Sequence, residues 1–236
     1  MCGRFSNATT PDQLKATFNV QLPQSLSTTP HGGRGHNAEP RWNIAPSHEV
    51  DAMTAGSIAT GGQKMMRTMI WGVATPKSPR PLINARSETM FEKPTFRTAA
   101  RKQRCAVVAS GWFEWLAPKQ PYYIHRRDGQ PMAMAGLYWR DGDVSRCVVV
   151  TTAADDGLSA IHHRAPLVLA PQDLDAWLDP AHGEDSLAGI IAPSPASGFD
   201  WYPVSHEVGS TRVNHRRLIA RDDHHGIPPE PQMSLF

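Results

Sequence analysis

The stretch that decides the fold is Cys105–Trp139, CAVVASGWFEWLAPKQPYYIHRRDGQPMAMAGLYW. Cys105–Ser110 and Trp112–Leu116 are short apolar runs of strand length, pinned between them by Gly111. Pro121–Arg127 and Pro131–Trp139 flank Asp128-Gly129, a dipeptide that supplies the positive φ a tight hairpin requires. Working outward, Cys147–Thr152 and Pro166–Ala170 read as buried strands, Met65–Val73 as an earlier strand and Trp201–Val208 as a late one. Helices are few. Thr10-Pro11-Asp12 opens a short one, with Thr10 as cap, Pro11 at the first helical position, and Leu14 and Phe18 one turn apart. Ser87–Gln103 reads as helical, restarted at Pro94 and ending in Arg101, Lys102 and then Arg104, and Gln172–Leu178 as another helix. Ser25–Pro40, rich in Gly, Ser, Thr, Pro and His, reads as a long loop, and the chain from about Ala220 as a flexible tail. The expectation is one α+β domain over residues 2–219, dominated by antiparallel β-sheet.

The bulk numbers suit such a domain. With 236 residues, 40% hydrophobic and 19% charged, the chain can bury a core without disulfides or metal. A net charge of +2 supplies no broad basic footprint, so any grip on nucleic acid falls to a local groove of Arg and aromatic side chains. Three cysteines, Cys2, Cys105 and Cys147, with no C-x-x-C pair, argue against a disulfide framework and a cysteine zinc site. His31, His36, His48, His224 and His225 match no metal-ligand spacing, so neither metal nor cofactor is expected. There is no signal-peptide core and no membrane-length apolar run, which points to a reducing, cytoplasmic setting where a free thiol persists.

The chemistry starts at Met1-Cys2-Gly3. Removal of Met1 before a small residue leaves a cysteine with a free α-amine, a 1,2-aminothiol. That amine has a pKa near 8, so a useful fraction is neutral at pH 7, and the thiol beside it is strongly nucleophilic. Such a pair condenses with an aldehyde twice, first as a Schiff base and then as a five-membered thiazolidine. Asn84-Ala85-Arg86 sets an amide and a guanidinium two residues apart, on one side if the segment is extended. Gly111-Trp112-Phe113-Glu114-Trp115 places a carboxylate among three aromatics, where desolvation raises its pKa towards the range of proton transfer. His162-His163-Arg164-Ala165-Pro166 adds an imidazole pair before a buried strand.

Met-Cys-Gly-Arg-Phe at the start, Trp42-Asn43-Ile44-Ala45-Pro46, Trp71-Gly72, Asn84–Thr89, Gly111–Trp115, Ala135–Trp139, Thr151-Thr152-Ala153 and His162–Pro166 follow one another in that order. Together they resemble the SRAP family, the SOS response-associated peptidases that shield abasic sites, over roughly residues 2 to 208. The resemblance implies a barrel-like antiparallel sheet and a DNA-damage function at the nucleoid. It also implies covalent capture of abasic sites in single-stranded DNA, with autocatalytic loss of Met1 and a lyase side activity. Cys2 would be the nucleophile, Asn84 would hold the N-terminal amine or the sugar, Glu114 would move protons, and His162 would act as acid and base. Arg4, Arg86 and Arg164 would hold phosphates, Trp71 and Trp115 would stack on or wedge between bases, and Pro46 would line the same pocket.

The chain departs from the family pattern at Ala165, where Met is usual, and in the length of the Ser25–Pro40 loop. Two other readings stay open: a cysteine peptidase acting on other proteins, and a non-covalent single-strand binder. At the far end, Gln232-Met233-Ser234-Leu235-Phe236 resembles the peptide that bacterial replication proteins insert into the sliding clamp, with Gln232, Leu235 and Phe236 filling pockets.

Overall fold

The computed structural model describes residues 2–22, 40–56, 62–75, 78–116 and 119–222. The Ser25–Pro40 loop (all but Pro40), the clamp-like peptide at Gln232–Phe236, and His31, His36, His224 and His225 lie outside the described residues.

Its strands, in chain order, begin with β1 (Phe5–Asn7), β2 (Val20–Gln21), β3 (Arg41–Ile44), β4 (Glu49–Thr54) and β5 (Lys64–Trp71). There follow β6 (Val73–Thr75), β7 (Ser78–Leu82), β8 (Asn84–Arg86), β9 (Arg104–Ala109), β10 (Gly111–Leu116) and β11 (Gln120–Arg126). The remainder are β12 (Met132–Asp141), β13 (Val144–Ala153), β14 (Arg164–Pro166), β15 (Val168–Leu169) and β16 (Phe199–Pro203). The helices are short: α1 (Pro11–Phe18), α2 (Arg97–Lys102), α3 (Asp156–Ser159), α4 (Leu174–Leu178) and α5 (Glu184–Leu187).

The sheet closes on itself. β13, β12, β9, β4 and β5 pair antiparallel in that order. A parallel pairing of β5 with β13 (Ile70 with Arg146, Trp71 with Cys147) then completes the ring. A second sheet, in the order β16-β11-β10-β1-β3, carries the chain start between β10 and β3. One core cluster, including Cys2, Phe5, Ile44, Trp71, Cys105, Trp112 and Tyr122, combines residues of both sheets. A second gathers α1, α2 and α4 against the barrel through Leu14, Phe18, Phe96 and Trp177.

The Asp128-Gly129 turn forms, with Gly129 at φ +68° and Asp128 accepting from the Gln130 N–H at 3.0 Å, but the expected hairpin does not: β11 pairs with β10 and β16 and β12 with β9, β13 and β15, so the turn carries the chain from one sheet to the other. The expected first helix is present, closed by a reciprocal cap in which Thr10 Oγ1 accepts from Gln13 N and Gln13 Oε1 from Thr10 N. Between Ser87 and Gln103 the structure differs from the expectation. A 3-10 turn covers Ser87–Thr89 and only Arg97–Lys102 is α-helical. Pro94 has no N–H to donate and biases the residue before it away from helix, while buried Met90, Phe91 and Phe96 hold the turns against the core. The expected strand at Trp201–Val208 is Phe199–Pro203 followed by a 3-10 turn, and the Pro166–Ala170 run is divided between β14 and β15.

Buried Arg104 joins helices to barrel. Its guanidinium donates to the carbonyls of Trp177 (2.5 Å), Ala100 (2.7 Å), Arg101 (3.3 Å), His182 (3.0 Å) and Asp179, and lies over the Trp177 ring. Those carbonyls come from the C-terminal parts of α2 and α4 and the turn beyond, where unpaired acceptors accumulate.

Candidate active site

The chain start is drawn into the protein by strand pairing. Phe5 pairs with Trp112 and Ile44, and Phe113 N donates to Arg4 O at 2.9 Å, which keeps β10 against the residues before β1. Cys2 is fully buried. Asn84 stands at the start of β8, which runs parallel to β13, and its Nδ2 donates to the Cys2 carbonyl at 2.9 Å. The other amide atom, Oδ1, is buried and has no protein partner. The extended backbone expected for Asn84–Arg86 is therefore the observed one, although Asn84 is half-buried and Arg86 exposed.

Glu114 comes from β10 and is 3% exposed. Burial pushes its carboxyl up to about 7, against the pull of the positive amino terminus and a hydrogen bond with it. The Cys2 thiol is pushed well above its ordinary range, first by burial and then by the charge of Glu114, with the amino terminus opposing. His162, in the turn after α3, is held below the ordinary histidine range by burial and then by that same amino-terminal charge. One positive charge thus acts on Cys2, Glu114 and His162 together. The His162 ring is oriented by the next residue but one: Nδ1 lies 3.0 Å from Arg164 N and 3.2 Å from Arg164 O. The amide serves a bare Nδ1 and the carbonyl a protonated one, so the backbone supports either tautomer. His163 stacks on His162 with ring centroids 4.3 Å apart.

Of the residues expected to hold DNA, Arg86 is exposed at the end of β8, and Pro46 is half-buried beside Ser47, which takes φ +70°. Trp71 and Arg4 are both turned inward. Trp71 has no exposed ring surface for a base: it is fully buried, tilted against Phe5 at 5.0 Å, with its indole N–H on the Ile83 carbonyl. Arg4 is turned to the protein, donating to Asn43 Oδ1 (2.8 Å), Val208 O (2.6 Å) and Gly209 O (3.5 Å). Arg164 pairs with both oxygens of Glu88 (2.5 and 3.0 Å) and with Thr151 O (2.6 Å), leaving little of its fork open. Trp115 is half-buried and packs with Trp42 against Phe113 and Val208, in a different cluster from Cys2.

Sequence reading missed Asn43 and Glu88. Asn43 is buried and its Nδ2 donates to Val208, Ser210 and Val213 carbonyls (3.3, 2.9 and 2.9 Å). The only signal was an amide inside an otherwise apolar Trp-Asn-Ile-Ala-Pro run. Glu88, two residues after Arg86, is the counter-charge of Arg164. Among the described residues, no group of three or more His, Cys, Asp and Glu stands together as a metal site. No described helix is long and apolar enough to cross a membrane.

Fold and site together define an α+β protein that gathers a cysteine, an amide, a carboxyl and an imidazole at its own chain start. The model of the SOS response associated peptidase (SRAP) family matches residues 1–211, and the chain belongs to that family. It is 32% identical over 231 residues to the abasic site processing protein YedK of Escherichia coli (strain K12), covering 93% of this chain and 99% of that one. It is 31% identical over 236 residues to the abasic site processing protein YoqW of Bacillus subtilis (strain 168), again over 93% and 99%. Among solved structures, a phage-related protein from Bordetella bronchiseptica has a TM-score of 0.68 at 29% identity, over 87% of this chain and 95% of that one. A protein from Bacteroides thetaiotaomicron has a TM-score of 0.76 at 23% identity over 94% of this chain and all of that one, a likeness of fold.

Proposed function

We propose that this protein processes abasic sites in single-stranded DNA by bonding to them through Cys2, after hydrolytic loss of Met1. The observation that carries the reading is the convergence on the chain start: Asn84 holds the Cys2 carbonyl, and the amino-terminal charge acts on Cys2, Glu114 and His162. Relatives named for abasic site processing support the choice of substrate.

The steps balance without a cofactor. Water cleaves the Met1–Cys2 bond, leaving a free amine. That amine adds to the ring-opened sugar aldehyde, and loss of one water gives a Schiff base. The thiol then adds across the C=N bond, its sulfur to carbon and its proton, by way of a base, to nitrogen, closing a thiazolidine. Glu114, near 7, can take the thiol proton and return it, and the neutral His162 ring can relay protons at the carbinolamine. The bare Oδ1 of Asn84 supplies an acceptor for the amine or a sugar hydroxyl.

Intact-mass analysis with a strand carrying one abasic site tests this. Loss of Met1 and a heat-stable adduct one water lighter than protein plus oligonucleotide are expected, and the adduct is absent in Cys2→Ala. A verified abasic strand that leaves the wild-type mass unchanged would overturn the reading.

A further inference from the structure

The family match ends at residue 211, but the described residues continue to 222. From Ser210 to Arg221 it contains Arg212, Arg216, Arg217 and Arg221 and no carboxylate. Arg212, His215, Arg216 and Arg217 are exposed. Glu207 lies 3.7 Å from His215, and Asp222 and Asp223 follow in sequence after Arg221, whose guanidinium lies 4.9 Å above the Tyr202 ring.

The placement of this run is enforced. Arg4 and Asn43 together bind the carbonyls of Val208, Gly209, Ser210 and Val213. Trp42 N adds a bond to Asn214 Oδ1 at 2.7 Å. Half-buried Arg4, two residues after Cys2, and buried Asn43 on β3 thus fasten the stretch Val208–Val213 beside the chain start. The cluster beneath it contains Val213 and Ile219 together with Trp42, Trp115 and Tyr202, three aromatics that remain partly exposed. Guanidiniums beside partly exposed rings are the composition that grips a single strand, charge to phosphate and ring to base.

We infer that the segment Ser210–Arg221, held by Asn43 at Ser210 and Val213 and led in by the Arg4 bonds to Val208 and Gly209, is a second nucleic-acid surface that takes the phosphate backbone of single-stranded DNA flanking the lesion, through Arg212, Arg216 and Arg217. The inference deepens the abasic-site reading and rests on it for its physiological strand, but it is measured on undamaged DNA. It gives Arg4 a different task from direct phosphate contact: Arg4 holds Val208 and Gly209, the turn that leads into the segment.

The test is the salt dependence of binding to an undamaged single-stranded oligonucleotide, which has no aldehyde to trap. In the full chain, R212Q/R216Q/R217Q should bind about tenfold more weakly at low salt. The slope of log affinity against log salt should shrink by about two, as the loss of three single-strand phosphate contacts predicts. R212K/R216K/R217K should restore most of both, and matched thermal midpoints exclude misfolding as the cause. Wild-type affinity and slope in the Gln variant would overturn the inference. Loss of affinity without loss of slope would also overturn it, because the phosphate contacts would be absent. If wild-type protein forms no adduct on an abasic strand yet the Gln variant loses slope, the trapping reading fails and this surface stands.

Discussion

Arg104 and Glu114 sit ten residues apart, each 3% exposed, and the protein treats their charges in opposite ways. Arg104 is wrapped by five backbone carbonyls and an indole face, so its charge is replaced in kind by fixed dipoles. Glu114 meets only partial compensation, and burial dominates: its carboxyl titrates near 7. A buried charge that is fully solvated by the fold is a strut. One that is held near its neutralisation point can move a proton at physiological pH.

The comparison breaks first at Arg104. Arg104→Met leaves several buried carbonyls without donors and should cost about 3–5 kcal/mol in urea unfolding, while adduct formed per folded molecule stays as in wild type. Glu114→Gln should do the reverse, slowing adduct formation about a hundredfold in single-turnover assays with the fold intact.

Glu114 also sets a pH signature. Its folded pKa is raised, about 7 against an ordinary 4.5, so the folded state holds the proton more tightly than the unfolded chain. Stability is therefore full below pH 4.5 and falls as pH rises towards 7. The loss levels off above that at about 3 kcal/mol. Urea midpoints at pH 5 and pH 8 should show this drop in wild type and not in Glu114→Gln. An equal drop in both would assign the slope to other groups.

Asn84→Ala should lower adduct yield about tenfold by freeing the Cys2 carbonyl, a loss of about 1–1.5 kcal/mol. The smallest effect is expected at Glu88. Glu88 is half exposed, so Glu88→Gln should change stability by less than about 1 kcal/mol in the same unfolding assay. By releasing the Arg164 fork it should also strengthen binding of undamaged DNA.

What the sequence revealed was mostly local. The Asp-Gly turn, the Thr10 cap and the apolar runs around Gly111 carry their own geometry in neighbouring residues, and those elements formed where expected. The ring closure between β5 and β13 joins residues 76 positions apart through a two-pair parallel contact that no short pattern announces. The Ser87–Gln103 segment has helical periodicity, but Pro94 and the buried Met90 and Phe91 override it. At the site, the N-terminal cysteine motif and the lone carboxylate among aromatics singled out Cys2 and Glu114. Direction was hidden: a tryptophan looks the same in sequence whether it faces a base or, like Trp71, the core, and Arg4 reaches carbonyls more than 200 residues away.

The brevity of β1 makes the beginning of this chain a ruler. Phe5 is locked in register with Trp112 and Ile44, and Cys2 lies three residues ahead of it, a reach of at most about 10 Å. One residue inserted before Phe5 would displace the sulfur by about 3.4 Å, and one removed would fall short by as much. The three-residue spacing between Cys2 and Phe5 is therefore itself a dimension of the proposed site.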